Sequence, residues 1–304
     1  MSQQVKRKIH FFQVTAHECR IDDVLKELNS IRDNTMYMDI GDDKKDYIRK
    51  YKKLTGYSQC ILSSLKMSDF PNRCTLGQRE PEPLDLNDDQ GLADSTHFCY
   101  FSGSGILAVE YNHFGPRASA LEKYINQKLM ELRGPGTTER VEIKPILSKE
   151  FSEMLDKIGE IRVLTLQMSV ARAGELQTIA PSLKQAIEQA SQVGETEEVE
   201  LVLKKKAYSK KPILREVGNF ISSLKELFSR KAPDDIFSKL KIKAINTQSG
   251  SLEEFDLLKD KTESEVRTIK LGKTRSIDMN DIFQKMKDVY DERKDELLPL
   301  LSSQ

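Results

Sequence analysis

Lys239, Lys241 and Lys243 alternate with the apolar Leu240, Ile242 and Ala244. A strand with that alternation puts all three ammonium groups on one face, about 7 Å apart at ~3.4 Å per residue. They close a stretch that also holds Lys204, Lys205, Lys206, Lys210, Lys211, Arg215, Lys225, Arg230 and Lys231, against the acids Glu216, Glu226, Asp234 and Asp235. The stretch is strongly positive in a chain whose 48 Lys+Arg and 48 Asp+Glu cancel. Like charges so close repel unless a polyanion neutralises them, and a nucleic-acid backbone is the commonest polyanion in the cytosol. The candidate phosphate-binding residues are Lys204, Lys205, Lys206, Lys210, Lys211, Arg215, Arg230, Lys231, Lys239, Lys241 and Lys243. A plain solvated lysine-rich surface has the same composition, and an adaptor face for an acidic protein partner is a further reading.

Tests for catalysis give less. His10, His17, His97 and His113 show neither HxxxH nor HExxH spacing, and Cys19, Cys60, Cys74 and Cys99 form no CxxC. Neither a metal site nor a dithiol pair is expected. Glu142-Ile143-Lys144 has the Glu-x-Lys form of half a metal-dependent nuclease site, which makes a Mg-dependent nuclease effector the alternative function. No Pro-Asp partner precedes it, and such triplets arise by chance in a chain this rich in Glu and Lys. Ser102-Gly103-Ser104-Gly105 is a turn and lacks the Lys of a phosphate loop. The expectation is a protein without catalytic residues, cofactor or small-molecule substrate.

The elements that must position the lysines follow from periodicity. Ile9 to Val14 reads as a strand after a polar, frayed start, and Ile21, Val24, Leu25, Leu28 and Ile31 share one helical face. Lys44, Lys45, Arg49, Lys50, Lys52 and Lys53 form a first basic cluster, with Tyr47, Ile48 and Tyr51 at helical spacing turned toward a core. Thr96–Phe101 and Ile106–Tyr111 make a hairpin, and Leu121 to Leu132 a helix stopped by Gly134-Pro135-Gly136. Strands at Val141–Ile143, Ile161–Leu166, Val199–Leu203 and Leu240–Ala244 interleave with helices at Leu183–Ala190 and Val217–Phe228. A last helix carries Ile282, Phe283, Met286, Val289, Tyr290 and Leu297 inward. The fold class is α+β, mixed sheets with helices packed on them in two lobes.

With 304 residues, two domains are expected. Residues 80–100 hold six acids and no Lys or Arg, which suggests a solvated hinge near residue 90. One lobe would be 1–90 completed by 247–304, the other 91–246. The 38% hydrophobic content excludes wholesale disorder, and no apolar run approaches the ~20 residues of a membrane span. The start lacks the apolar stretch of a secretory signal, so a cytoplasmic location is expected.

Four blocks in order, Asp88-Asp89-Gln90-Gly91-Leu92, Thr96-His97-Phe98-Cys99-Tyr100, Phe114-Gly115-Pro116 and Glu139-Arg140-Val141-Glu142-Ile143-Lys144-Pro145, resemble the RexA-like phage exclusion proteins. Val199–Lys204 with the basic run after it, the helix Val217–Leu227, the strand near Leu240 and the helix from Asp281 are similar too. The N-terminal 80 residues match least, and the Lys44–Lys53 cluster has no counterpart. The resemblance implies a cytoplasmic, homodimeric protein of abortive infection and antiviral defence, related to the RdgC family. It implies double-stranded DNA binding without sequence preference, through the stretch Lys204 to Arg215, and association with a membrane effector protein.

Overall fold

Strand pairing starts almost at the first residue, earlier than the polar N-terminus suggests. In a computed structural model describing residues 3–84, 86–194, 196–206, 209, 211–214, 216–258 and 262–301, β1 (Gln4–His17) is held on one side along its first half. Lys6 and Lys8 pair there with Glu265 and Glu263, at 2.8 and 2.7 Å, on an antiparallel strand from the far end of the chain. The fold class is α+β, built on two antiparallel sheets.

The first compact unit comprises residues 1–143 and 263–294. Its strands are β1, β2 (Met38–Gly41), β3 (Lys44–Lys53), β4 (Ser58–Lys66), β5 (Leu92–Phe101), β6 (Ile106–Tyr111) and β7 (Arg140–Pro145), the last running just past the boundary. The second unit holds β8 (Ile158–Ser169), β9 (Glu198–Lys204), β10 (Lys239–Asn246) and β11 (Leu252–Asp256), and β12 (Glu263–Ile269) returns to the first. The first sheet has the order β12-β1-β6-β5-β4-β3-β2, with β7 also pairing β1. Its helices are α1 (Ile21–Leu28) and α2 (Ala118–Arg133). Leu121, Tyr124, Ile125 and Leu129 of α2 are buried, and the Tyr124 hydroxyl donates to the Met36 carbonyl at 2.8 Å, so its polar tip is satisfied in the core. Gly134 ends α2 at φ +96°, where a side chain would be strained.

The second unit, residues 144–262 and 295–304, packs α3 (Lys149–Asp156), α4 (Pro181–Gly194), α5 (Val217–Arg230) and the short α6 (Pro233–Ile236) with a sheet of order β11-β10-β8-β9. The last helix, α7 (Met279–Leu301), is divided between the units at residue 294. Leu164, Leu166, Leu240 and Ile242 of the second sheet are buried with Phe151, Leu183, Ile187, Leu224 and Phe228 of the helices. Alternation in β10 therefore does what its sequence requires: Leu240, Ile242 and Ala244 go in, and the three lysines stay on the other face.

Several expectations need correction. Ser58–Lys66 pairs with Leu92–Tyr100 along its whole length, so the acidic stretch joins two neighbouring strands of one sheet and is not an interdomain hinge. Residues 92–143 belong with the N-terminal lobe, and β11 belongs with the second unit. The Lys44–Lys53 cluster is a strand, not a helix. A bulge between Ile48 and Lys50 puts Ile48 and Tyr51, three residues apart, on one face opposite Leu62 and Cys60, and so imitates a helical interval.

Candidate nucleic-acid interface

The outer face of the second sheet is fixed by register. Lys243 stands opposite Val163, which stands opposite Lys204; Lys241 is opposite Thr165 and then Val202; Lys239 is opposite Gln167 and then Glu200. Directly paired residues share a face, so the β10 lysines and Lys204 lie together as their alternation requires. β11 lies on the far side of β10 and sets Asp256 opposite Lys241 and Glu254 opposite Lys243.

These flanking carboxylates occupy the lysines. Lys239 Nζ reaches Glu200 at 2.7 Å across the intervening β8. Lys241 lies 3.3 Å from Asp256 and 3.7 Å from Glu254, and Lys243 lies 3.5 Å from Glu254. Lys204, Lys239, Lys241 and Lys243 share the face with Glu198, Glu200, Glu254 and Asp256, so these charges cancel. Exposed pairs of this kind contribute at most about 1 kcal/mol each and are screened by salt. What they remove is the net positive potential that would draw in a polyanion. The continuous basic face expected along β10 is therefore not present.

The remaining candidates divide the same way. Lys205 lies on the other side of β9, only 7% exposed, against Glu160, which also takes Arg162; the contact with Lys205 holds the Glu160 carboxyl below its ordinary range. Arg230 pairs with Glu226 one turn back on α5, Lys231 with Glu175 at 2.5 Å, and Lys225 with Asp156 at 2.5 Å. Lys204, Lys206 and Lys211 are exposed and pair with no carboxylate among the described residues. Lys210 and Arg215 lie outside the described residues. Among the candidates, those that pair with no carboxylate of the described residues thus gather at the end of β9 and in the segment after it. A signal for the pairing was in the chain: Glu198-x-Glu200 and Glu254-x-Asp256 have the same two-residue period as the lysine row, as acids on flanking strands would.

In the first unit, Lys53 pairs with Asp22 at 3.2 Å, and the Tyr51 hydroxyl donates to the same carboxylate at 3.1 Å. Lys50 Nζ meets the Met279 sulfur at 3.5 Å, which leaves the cluster divided among different neighbours. Glu142, the nuclease candidate, has its carboxylate 3.4 Å from His17 Nε2 and 3.5 Å from Arg140. Among the described residues no three His, Cys, Asp or Glu side chains are grouped as metal ligands would be. Cys60 and Cys99 are buried, and burial pushes both thiols up, Cys60 to about 12.

Histidine spacing gave no hint of one network. Glu110 on β6 is 1% exposed and accepts from Arg7 Nε at 2.8 Å on one oxygen, while the other lies 2.6 Å from His97 Nδ1. The His97 ring stands edge-on to Phe283, with centroids 5.2 Å apart. A buried carboxylate is tolerated here because two donors replace its water.

The model of a family described as a family of unknown function (DUF6731) matches residues 20–297. No curated protein matches the chain.

Proposed function

The chain belongs to the DUF6731 family, and we propose that it binds double-stranded DNA without sequence preference, as a cytoplasmic, homodimeric component of a phage exclusion system. The observation that carries this reading is where those candidate cations fall that pair with no carboxylate among the described residues. Lys204, Lys206 and Lys211 fall in one short stretch, and Lys210 and Arg215 add to it in sequence. This is the stretch to which the RexA-like resemblance assigns DNA contact. Compared with the sequence expectation, the site shrinks: Lys205, Arg230, Lys231, Lys239, Lys241 and Lys243 each engage an acid of the same chain.

Binding of this kind is driven by release of counterions condensed on the duplex and carries no base readout. The test is titration of a labelled duplex with the full chain and with a Lys206→Gln/Lys211→Gln variant. Lys205 is left unchanged, because removing it would strand Glu160 beside Arg162 alone. Loss of about tenfold in affinity in the variant, equal for unrelated sequences, supports the reading. Equal affinity for wild type and variant would reject it.

A further inference from the structure

β9 is the end strand of its sheet, and among the described residues no strand pairs with its other side. The Lys205 amide donates to the Arg162 carbonyl at 2.8 Å, which fixes the phase of the β8–β9 ladder. Residues 201, 203 and 205 exchange bonds with β8, so Glu200, Val202 and Lys204 turn their N–H and C=O groups to the open edge. Their side chains are open as well: Val202 is 44% exposed and Glu200 41%. An edge of this kind is a template for another strand unless something protects it.

Charge usually protects an edge by carrying one sign throughout, which repels a second copy. Here the sign reverses about the middle, in Glu198-Val199-Glu200-Leu201-Val202-Leu203-Lys204-Lys205-Lys206. Antiparallel self-pairing centred on Val202 sets Val202 against Val202, Glu200 against Lys204 of the second copy, and Leu201 against Leu203 on the opposite face. Moving that centre by one residue in either direction keeps a Glu–Lys pair further out but sets Glu200 or Lys204 against Val202 beside the axis. The outward N–H and C=O groups of residues 200, 202 and 204 meet their counterparts in this register, and the side-chain pairing favours it over the neighbouring ones.

We infer that β9 is a self-recognition edge, through which two copies of this chain join their four-stranded sheets into one continuous antiparallel sheet about a two-fold axis. The occupant is a second copy because the pattern is complementary to its own reverse, the condition an isologous contact must meet. Lys204, which pairs with no carboxylate among the described residues, gains Glu200 of the second copy, whose one oxygen already holds Lys239. At the ends Glu198 faces Lys206 of the second copy, a solvated rim pair whose lysine remains exchangeable with phosphate. The inference rests on and deepens the homodimeric part of the proposed function; because it is measured without DNA, the DNA-binding part can fail or stand separately.

The test is sedimentation of the full chain as wild type, Lys204→Glu, Glu200→Lys, and an equimolar mixture of the two variants. Wild type should be dimeric, and each variant alone should dissociate about tenfold more readily, because like charges then face each other twice per dimer. The mixture should recover dimer, since one variant carries acids at both positions and the other carries lysines at both, so every facing pair again has opposite signs. Val202→Pro removes an amide that β8 does not use, and should give folded monomer by circular dichroism. A monomeric wild type, single variants that dimerise like wild type, or a mixture that stays monomeric would each overturn the inference.

Discussion

Lys239 and Glu200 are 39 residues apart in sequence, yet their side chains meet at 2.7 Å across the strand that separates them. That contact, with Lys241–Asp256 beside it, turns a row that looks cationic into a neutral lattice of alternating charge. The proposed phosphate contacts therefore fall at the end of β9 and after it in sequence, not on β10.

The buried network around Glu110 gives the firmest stability prediction. Replacing Glu110 with Ala leaves the half-buried Arg7 without its anion and the buried His97 without its partner. The expected cost is about 3–5 kcal/mol, read as a lower urea midpoint at unchanged slope. A loss below about 1 kcal/mol would mean that the network is solvated.

Asp46 makes stability depend on pH. It is 1% exposed, and burial raises its carboxyl to about 6, only partly opposed by the Ser64 hydrogen bond and the charge of Lys123. A folded value above the unfolded one, 3.8, means that the folded state holds its proton longer. The contribution is fully present below the unfolded value and is lost as pH rises through the folded one. About 2–3 kcal/mol should be lost between pH 4 and pH 7, and Asp46→Asn should flatten that part of the profile. A wild-type profile no steeper than the variant's would contradict this.

Gly115 lies where a side chain has no room. A Cβ there would sit 2.5 Å from Oγ1 of Thr96, a fully buried residue of β5, and 2.8 Å from Asn112 Nδ2, which is held by its hydrogen bond to the Ser95 carbonyl. Gly115→Ala should cost about 1–3 kcal/mol, with thermal melting as the check, whereas Gly136→Ala, with open space around it, should be near neutral.

Patterned elements were legible because their burial is one-sided. The lysine alternation of β10, the apolar stripe of α2 and the hairpin β5–β6 each appear where periodicity put them. Sheet partners were not legible. Nothing local in Lys239 announces Glu200, and nothing in the acidic residues 80–94 shows that β4 and β5 close over them. The bulge at β3 defeated periodicity itself, since one inserted residue turns a two-residue period into an apparent helical one. The candidate site suffered most, because residue type shows charge while only tertiary pairing shows net charge.

Salt dependence measures how many cations take part. With Lys206, Lys210, Lys211 and Arg215 as contacts of one protomer, log affinity should fall against log salt with a slope of about −3.6. A slope well beyond about −7.2, the value when both protomers of a dimer engage the duplex, would call for further contacts such as the β10 row.

Anisotropy titration of a labelled duplex of about 30 base pairs, comparing two sets of variants that each remove two lysines, locates the phosphate contacts. Lys206→Gln/Lys211→Gln should weaken binding about tenfold and flatten the salt slope. Lys241→Gln/Asp256→Asn with Lys243→Gln/Glu254→Gln, which removes lysines together with their carboxylates, should leave affinity within about twofold of wild type. The reverse outcome, with the β10 set losing affinity and the 206–211 set keeping it, would contradict the account.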